Sequence, residues 1–314
     1  MYPIKLTFQP IHPTSYRTVL AYLNGHFLPR AAASVPVDDR GFLFGDGVYE
    51  VWRAVGGSLF ESDRHLARLQ RGLDELRIPR PDLANPERVN DIARRLLTDS
   101  DLLVGDATFY VEITRGVAPR THQFPSESVA PTAYATVNRL STPEDARAGG
   151  AQCITVPDVR WLRCDIKSVQ LLPNVLARQA AAERGAIEAI MIRDGVVTEG
   201  SHTNVIGVFD GVLRTHPLNH CVLPGVTRAV VLEIARSLGM PVRETAFGER
   251  ELSRLEELFL VGTTTDVLPI VRLDGNVIGD GEPGPIARRL QAELRARLDA
   301  LRPADPPAVA SIAP

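Results

Sequence analysis

The stretch Asp194-Gly195-Val196-Val197-Thr198-Glu199-Gly200-Ser201-His202-Thr203-Asn204, with Asp210-Gly211 soon after it, decides how this chain folds. Asp-Gly between apolar runs supplies two neighbouring residues that tolerate positive φ, as a tight hairpin turn demands. A third such pair is Asp274-Gly275. Helices alternate with these hairpins: Pro173 to Arg184 ending at Gly185, Thr227 to Leu238 ending at Gly239, and Pro285 to Leu301. Glycine just past the first two suits a helix C-terminus. Hairpins mixed with helices predict an α+β (mixed-sheet α/β) fold and argue against a doubly wound parallel sheet. Neither a GxGxxG nor a Walker-type loop is present.

Towards the N-terminus, residues 1–20 show no clear period and read as an extension. Ordered structure is expected from Ala21-Tyr22-Leu23, with a hairpin at Asn24-Gly25. Ser62 or Asp63 can cap a helix whose apolar stripe is Leu66, Leu69, Leu73 and Leu76. Asn85-Pro86 opens a second helix, with Val89, Ile92, Leu96 and Leu97 on its inner face. Ala107 to Thr114 reads as a strand. Pro143, Glu144, Asp145 and Gly149-Gly150 mark a linker over 141–150. It divides a smaller domain, 21–140, from a larger one, 151–302; the proline-rich residues 303–314 form a tail.

At 314 residues, 44% hydrophobic and 23% charged, the chain has an ordinary globular composition. A net charge of −3 without a basic cluster argues against nucleic acid and anionic membranes as partners. Cys153, Cys164 and Cys221 are sparse and lack metal-ligand spacing, which fits a reducing compartment. The N-terminus has no apolar core of signal length, and no apolar run approaches the roughly 20 residues of a membrane helix. The expected location is the cytoplasm.

Among 35 basic residues only Lys5 and Lys167 are lysines. Arginine stays charged at any working pH, whereas lysine can lose its proton and act as a nucleophile. Lys167, in Arg163-Cys164-Asp165-Ile166-Lys167-Ser168, is therefore a candidate for a Schiff base with a substrate carbonyl or with pyridoxal phosphate. Pyridoxal phosphate also needs an acidic partner for its ring nitrogen and a cup for its phosphate. Glu199, after the strand Gly195-Val196-Val197-Thr198, can be the first. Pro224-Gly225-Val226-Thr227, leading into a helix with free N–H groups, and Gly262-Thr263-Thr264-Thr265 can build the second.

In this order the motifs resemble the class IV (fold-type IV) pyridoxal-phosphate aminotransferases, and among them the D-amino acid aminotransferases. They run from about Leu23 to Leu298: Asp39-Arg40-Gly41, Phe44-Gly45-Asp46-Gly47-Val48-Tyr49-Glu50, His65-Leu66-Ala67-Arg68-Leu69 and the Arg115-Gly116 to Pro125 segment. Arg160 to Ser168, Thr198-Glu199-Gly200-Ser201 and Leu223 to Arg228 continue the series. The resemblance implies a two-domain protein with a small N-terminal α/β domain and a larger pseudo-barrel domain. It makes Lys167 the Schiff-base lysine and proton carrier, and Glu199 the partner of the pyridine nitrogen. Arg68, Val226, Thr227, Thr263 and Thr264 would hold the phosphate, and Ser201, His202 and Thr203 would also lie against the cofactor.

Arg120 and His122, in Arg120-Thr121-His122-Gln123-Phe124-Pro125, lie on one side of an extended backbone. A guanidinium beside an imidazole can grip a carboxylate. The resemblance makes them, with the Tyr49 hydroxyl, the trap for the substrate carboxylate, on a loop reaching in from the second subunit of a homodimer. The side on which that carboxylate is held decides which enantiomer offers its Cα–H to Lys167, and this arrangement should select D-amino acids. The implied reaction is ping-pong: D-alanine and 2-oxoglutarate give pyruvate and D-glutamate by way of the Lys167 aldimine. The chain departs from the family at His202-Thr203, where small hydroxyl residues are common. His202 either narrows the pocket or points away. The rival readings are a branched-chain L-aminotransferase, an aminodeoxychorismate lyase and a non-catalytic pyridoxal-phosphate-binding protein.

Overall fold

Alternation of apolar and polar residues builds the first sheet. In the computed structural model, which describes residues 19–303, β1 (Leu20–Leu23) and β2 (His26–Pro29) form a hairpin. A short helix, α1 (Arg40–Phe44), precedes β3 (Gly47–Val55) and β4 (Ser58–Leu59). After α2 (Ser62–Glu75) and α3 (Pro86–Asp99) come β5 (Asp106–Thr114) and β6 (Thr132–Arg139). The strands pair antiparallel in the order β2-β1-β6-β5-β3-β4. Ala107, Phe109, Val111 and Ile113 on β5 share a core with Leu69 and Leu73 of α2 and Leu96 and Leu97 of α3. Tyr110 and Glu112, from the alternate positions, are only half-buried.

The stretch expected to be a linker carries α4 (Glu144–Gly149). Its Arg147 is buried and ion-paired with Asp266, so a side chain fixes against the larger sheet what composition presents as a free connection. That sheet comprises β7 (Ala151–Pro157), β8 (Glu188–Arg193), β9 (Val196–Gly200), β10 (Asn204–Phe209), β11 (Val212–Arg214), β12 (Val242–Arg243), β13 (Glu257–Gly262), β14 (Asp266–Leu273) and β15 (Asn276–Val277). The order is β12-β11-β10-β13-β14-β7-β8-β9, with β15 beside β14. β7 runs parallel to β8 and β14, and β11 to β12; the other pairs are antiparallel. The sheet is thus mixed, and it curls into a half-barrel. The helices of this half are α5 (Leu172–Glu183), α6 (Val226–Ser237) and α7 (Pro285–Asp299). Ile206, Val208, Phe259 and Val261 meet α6 and α7, while Val205, Leu258 and Leu260 face a second cluster. β10 is accordingly buried along its whole length.

Each expected hairpin pair has both residues at positive φ, for example Asp194 at 51° and Gly195 at 75°. Asn85 caps α3 by accepting from the Glu87 N–H at 2.9 Å. The start of α2 differs from expectation: Ser62 is already helical, and Glu61 precedes it in the left-handed region with no side-chain cap. The Trp52 indole donates to the Ser62 carbonyl (3.2 Å), so contact with β3 sets this helix start in place of a cap. Of the expected extension only Val19 and Leu20 are described; Lys5 and the tail beyond Pro303 lie outside the described residues. Among the described residues no helix is long and apolar enough to cross a membrane.

Main-chain and side-chain bonds join the halves. The Tyr49 N–H donates to the Lys167 carbonyl (2.9 Å) and the Val169 N–H to that of Gly47 (3.1 Å), so the segment around Lys167 runs antiparallel to the start of β3. Arg53 of β3 pairs with Asp106 of β5 and also with Asp266 of β14.

Candidate active site

Residues of both halves line a cavity of about 690 Å³. The Lys167 amine stands 4.1 Å from the centre of the Tyr49 ring, a cation–π approach that holds it at the cavity wall. Tyr49 is brought there by strand alternation: Val48, Glu50, Trp52 and Ala54 take one face of β3, and Tyr49 the other.

Glu199, at the end of β9, is buried. One carboxylate oxygen accepts from Asn204 Nδ2 (2.9 Å) and the Leu223 N–H (3.0 Å), and the other pairs with Arg160. Burial pushes the carboxyl up from its ordinary value, and the Arg160 guanidinium pulls it part of the way back. Arg160 is itself gripped through Nε (2.9 Å) and Nη2 (2.7 Å) by Asp158, which also accepts from Thr198 (2.9 Å) and Arg193 (2.9 Å). Burial would raise Asp158, but these bonds hold it down at about 2.

Arg68, on α2, donates Nε (2.8 Å) and Nη2 (2.7 Å) to Glu50, and Nη1 (2.9 Å) to the Pro224 carbonyl. Three of its five N–H donors are engaged, leaving two for an anion. Glu50 is fully buried, with His65 Nδ1 at 3.0 Å. Burial works to raise its carboxyl, but Arg68 and His65 outweigh it and hold Glu50 far below the usual carboxylate range. The bond to Pro224 ties Arg68 to the turn that opens α6. That helix begins at Gly225 with no side-chain cap and no acidic residue in its first turn, so its N–H groups remain available. A Cβ at position 225 would overlap Asn204 Oδ1; glycine lets the turn approach the residue that holds Glu199.

Val226, Thr227 and Thr263 line the cavity, whereas Thr264 does not. Ser201, His202 and Thr203 also line it. His202 does not simply point away. Its Nδ1 lies 2.6 Å from buried Glu188, whose carboxylate also accepts from the Ser201 hydroxyl. Arg120 and His122 are not brought to the cavity wall of this chain. The loop that carries them is bent where an extended run was expected, because the Thr121 carbonyl is held by Arg40 Nη1 (2.7 Å). Both side chains are exposed and flank Phe44: the Arg120 guanidinium at 5.3 Å and the His122 ring at 5.6 Å from its centre.

Glu50, Asp158, Arg160, Glu188 and Asn204 have no role that the sequence alone announces. One signal was available: Glu50 falls on the β3 face of Val48 and Trp52, where a carboxylate must find a buried partner.

A chemically complete set thus surrounds one cavity: an amine, a buried carboxylate and a cationic, N–H-rich cup. The class IV amino-transferase model matches residues 47–273. The chain belongs to the class IV aminotransferases. Among its relatives in this family, the D-alanine aminotransferase of Staphylococcus aureus (strain N315) is 40% identical over 271 residues, covering 86% of this chain and 94% of the relative. That of Bacillus licheniformis is 40% identical over 272 residues, covering 87% and 94%. In structure, the chain superposes on the branched-chain amino acid aminotransferase of Escherichia coli with a TM-score of 0.82 at 22% identity, over 89% of this chain and 94% of the other, which establishes the shared fold.

Proposed function

We propose that this class IV aminotransferase uses pyridoxal phosphate to transfer the amino group of D-amino acids, D-alanine foremost, to 2-oxo acids such as 2-oxoglutarate. The observation that carries the reading is the cavity itself, which Lys167, buried Glu199, Arg68 and the α6 N-terminus line together. The residues fit the cofactor: the two uncommitted Arg68 donors and the uncapped turn at Gly225 suit a phosphate, and Glu199 suits a protonated ring nitrogen.

When bound, pyridoxal phosphate supplies an aldehyde that captures amines and a ring that takes up the electron pair left at Cα. Arg68, the Val226 and Thr227 N–H groups and the Thr263 hydroxyl would hold the phosphate. Glu199, steadied by Arg160 and Asn204, would keep the ring nitrogen protonated. Lys167 would be the amine that takes the proton from substrate Cα and gives one back, a single base on the cavity wall serving both transfers.

D-specificity is supported by the D-alanine aminotransferases at 40% identity and by the Arg120–His122 loop. In a homodimer that loop would present its guanidinium and imidazole to the substrate carboxylate of the neighbouring subunit, opposite Tyr49. Exposed Phe42 and Leu172, both on the cavity lining, offer such a subunit an apolar seat. The free cysteines fit a cytoplasmic setting.

The test is to supply purified protein with pyridoxal phosphate and 2-oxoglutarate, and to follow pyruvate from D- or L-alanine. The D-isomer should be consumed faster, and borohydride should fix an absorbing group on the Lys167 peptide. Equal or faster turnover of L-alanine would defeat the stereochemical reading. No fixation at Lys167 would defeat the cofactor reading.

A further inference from the structure

Glu188, at the start of β8, is 1% exposed, yet it is paired with no arginine or lysine among the described residues. Its carboxylate accepts from the Ser201 hydroxyl, the Ala189 N–H (2.8 Å) and His202 Nδ1 (2.6 Å). The N–H of His202 and the Thr203 hydroxyl lie further off, both at 3.4 Å. A buried carboxylate needs a counter-charge, and His202 is the basic group in reach. With Nδ1 engaged by Glu188, the second ring nitrogen, Nε2, is left on the far edge of the ring, where it can donate when both nitrogens carry a proton. That atom has no partner among the described residues, and the His202 side chain is 49% exposed on the cavity lining.

The other cations around the cavity are committed. Arg160 serves Asp158 and Glu199, Arg68 serves Glu50 and the proposed phosphate, and Lys167 is the reacting amine. A ring nitrogen without a partner, on the cavity that Lys167 and Glu199 also line, suits a second anionic group on the substrate.

We propose that His202, oriented by Glu188, binds the distal carboxylate of dicarboxylic substrates, 2-oxo diacids and acidic D-amino acids, and so sets the preference for them. This rests on the transaminase reading. A charge-assisted hydrogen bond should favour a diacid over a monocarboxylic substrate of equal chain length by roughly tenfold or more. A ring that only neutralised Glu188 would give no such preference.

The experiment uses the cofactor-loaded protein with D-alanine as donor and compares kcat/KM for 2-oxoglutarate and 2-oxopentanoate. The ratio is read within each variant, so a general loss of activity does not move it. His202→Gln can still donate to Glu188 but has no charge, and the preference for 2-oxoglutarate should fall roughly tenfold. His202→Lys restores a cation with donors to spare, and the preference should return. As a readout without turnover, glutarate should bind the unaltered holoenzyme roughly tenfold more tightly than pentanoate, followed by cofactor absorbance.

An unchanged ratio in His202→Gln, an equal fall in His202→Lys, or equal binding of the two acids overturns the proposal while transamination stands. Failure of the unaltered protein to convert D-alanine with either 2-oxo acid overturns the transaminase reading as well.

Discussion

Replacing Arg68 by alanine tests the ion pair on which the anion cup is built. Glu50 is 0% exposed, and the substitution removes its two bonds to Arg68, at 2.8 and 2.7 Å. What remains is His65 Nδ1 at 3.0 Å and the Val51 N–H at 2.8 Å. Breaking a buried pair from one side costs about 3–5 kcal/mol, and the surviving bonds place this case near the lower figure. At about 2–4 °C per kcal/mol for a chain of this size, the cofactor-free variant should melt about 6–12 °C below the parent at neutral pH. Calorimetry without cofactor or phosphate separates this from lost ligand binding.

The pH dependence adds a sign. In the parent, the folded-state value of Glu50 is depressed, so its contribution is complete above the ordinary glutamate value of about 4.3 and drains away as pH falls below it. Without Arg68, burial dominates and the carboxyl rises; lowering the pH from 7 towards 5 then relieves the buried charge. The gap in Tm should narrow over that range. Glu50→Gln combined with Arg68→Met should recover much of the loss, because no lone charge is left inside. A fall of less than about 2 °C, or a gap that ignores pH, would refute the reasoning.

Other outcomes are equally definite. Lys167→Ala should cut turnover by roughly 10²–10⁴ or more and leave nothing for borohydride to fix; transamination at the parental rate would exclude the assigned role. Arg160→Met removes the group that pulls Glu199 down, so the acid limb of kcat against pH should move to higher pH. Gly225→Ala forces a methyl against Asn204 and should weaken both the fold and the retention of pyridoxal phosphate by about 1–3 kcal/mol, measured by unfolding and cofactor titration. Arg120→Ala alters an exposed side chain, so Tm should shift by less than about 2 °C while KM for D-alanine rises more than kcat falls.

The readable parts of this sequence are those in which local chemistry leaves little choice. Asp194-Gly195 and its counterparts turn where they must, and the leucines of α2 and α3 face the core their spacing prescribes. Lys167 stands out because the chain otherwise uses arginine almost throughout. What escapes notice depends on distant partners. Arg147 looks like one arginine in a polar stretch until Asp266, far along the chain, draws it under. Glu188 reads as an ordinary strand-edge carboxylate until the Ser201–His202 turn closes over it. Thr264 reads as part of the cup, but the turn after β13 brings Thr263 to the cavity wall and not its neighbour. The start of α2 shows the same limit, since the indole of Trp52 fixes it from another strand.

The stitching of Lys167 to Tyr49 has an evolutionary corollary. The Lys167 amine is encoded in the second half of the gene, yet the segment that carries it is bonded to main-chain atoms from the first. Recombining halves from two diverged homologues would preserve each scaffold while shifting the amine relative to the carboxylate and the cup. Lineages of this fold should therefore diversify through their loops and cavity walls, with the seam between the halves inherited as a unit.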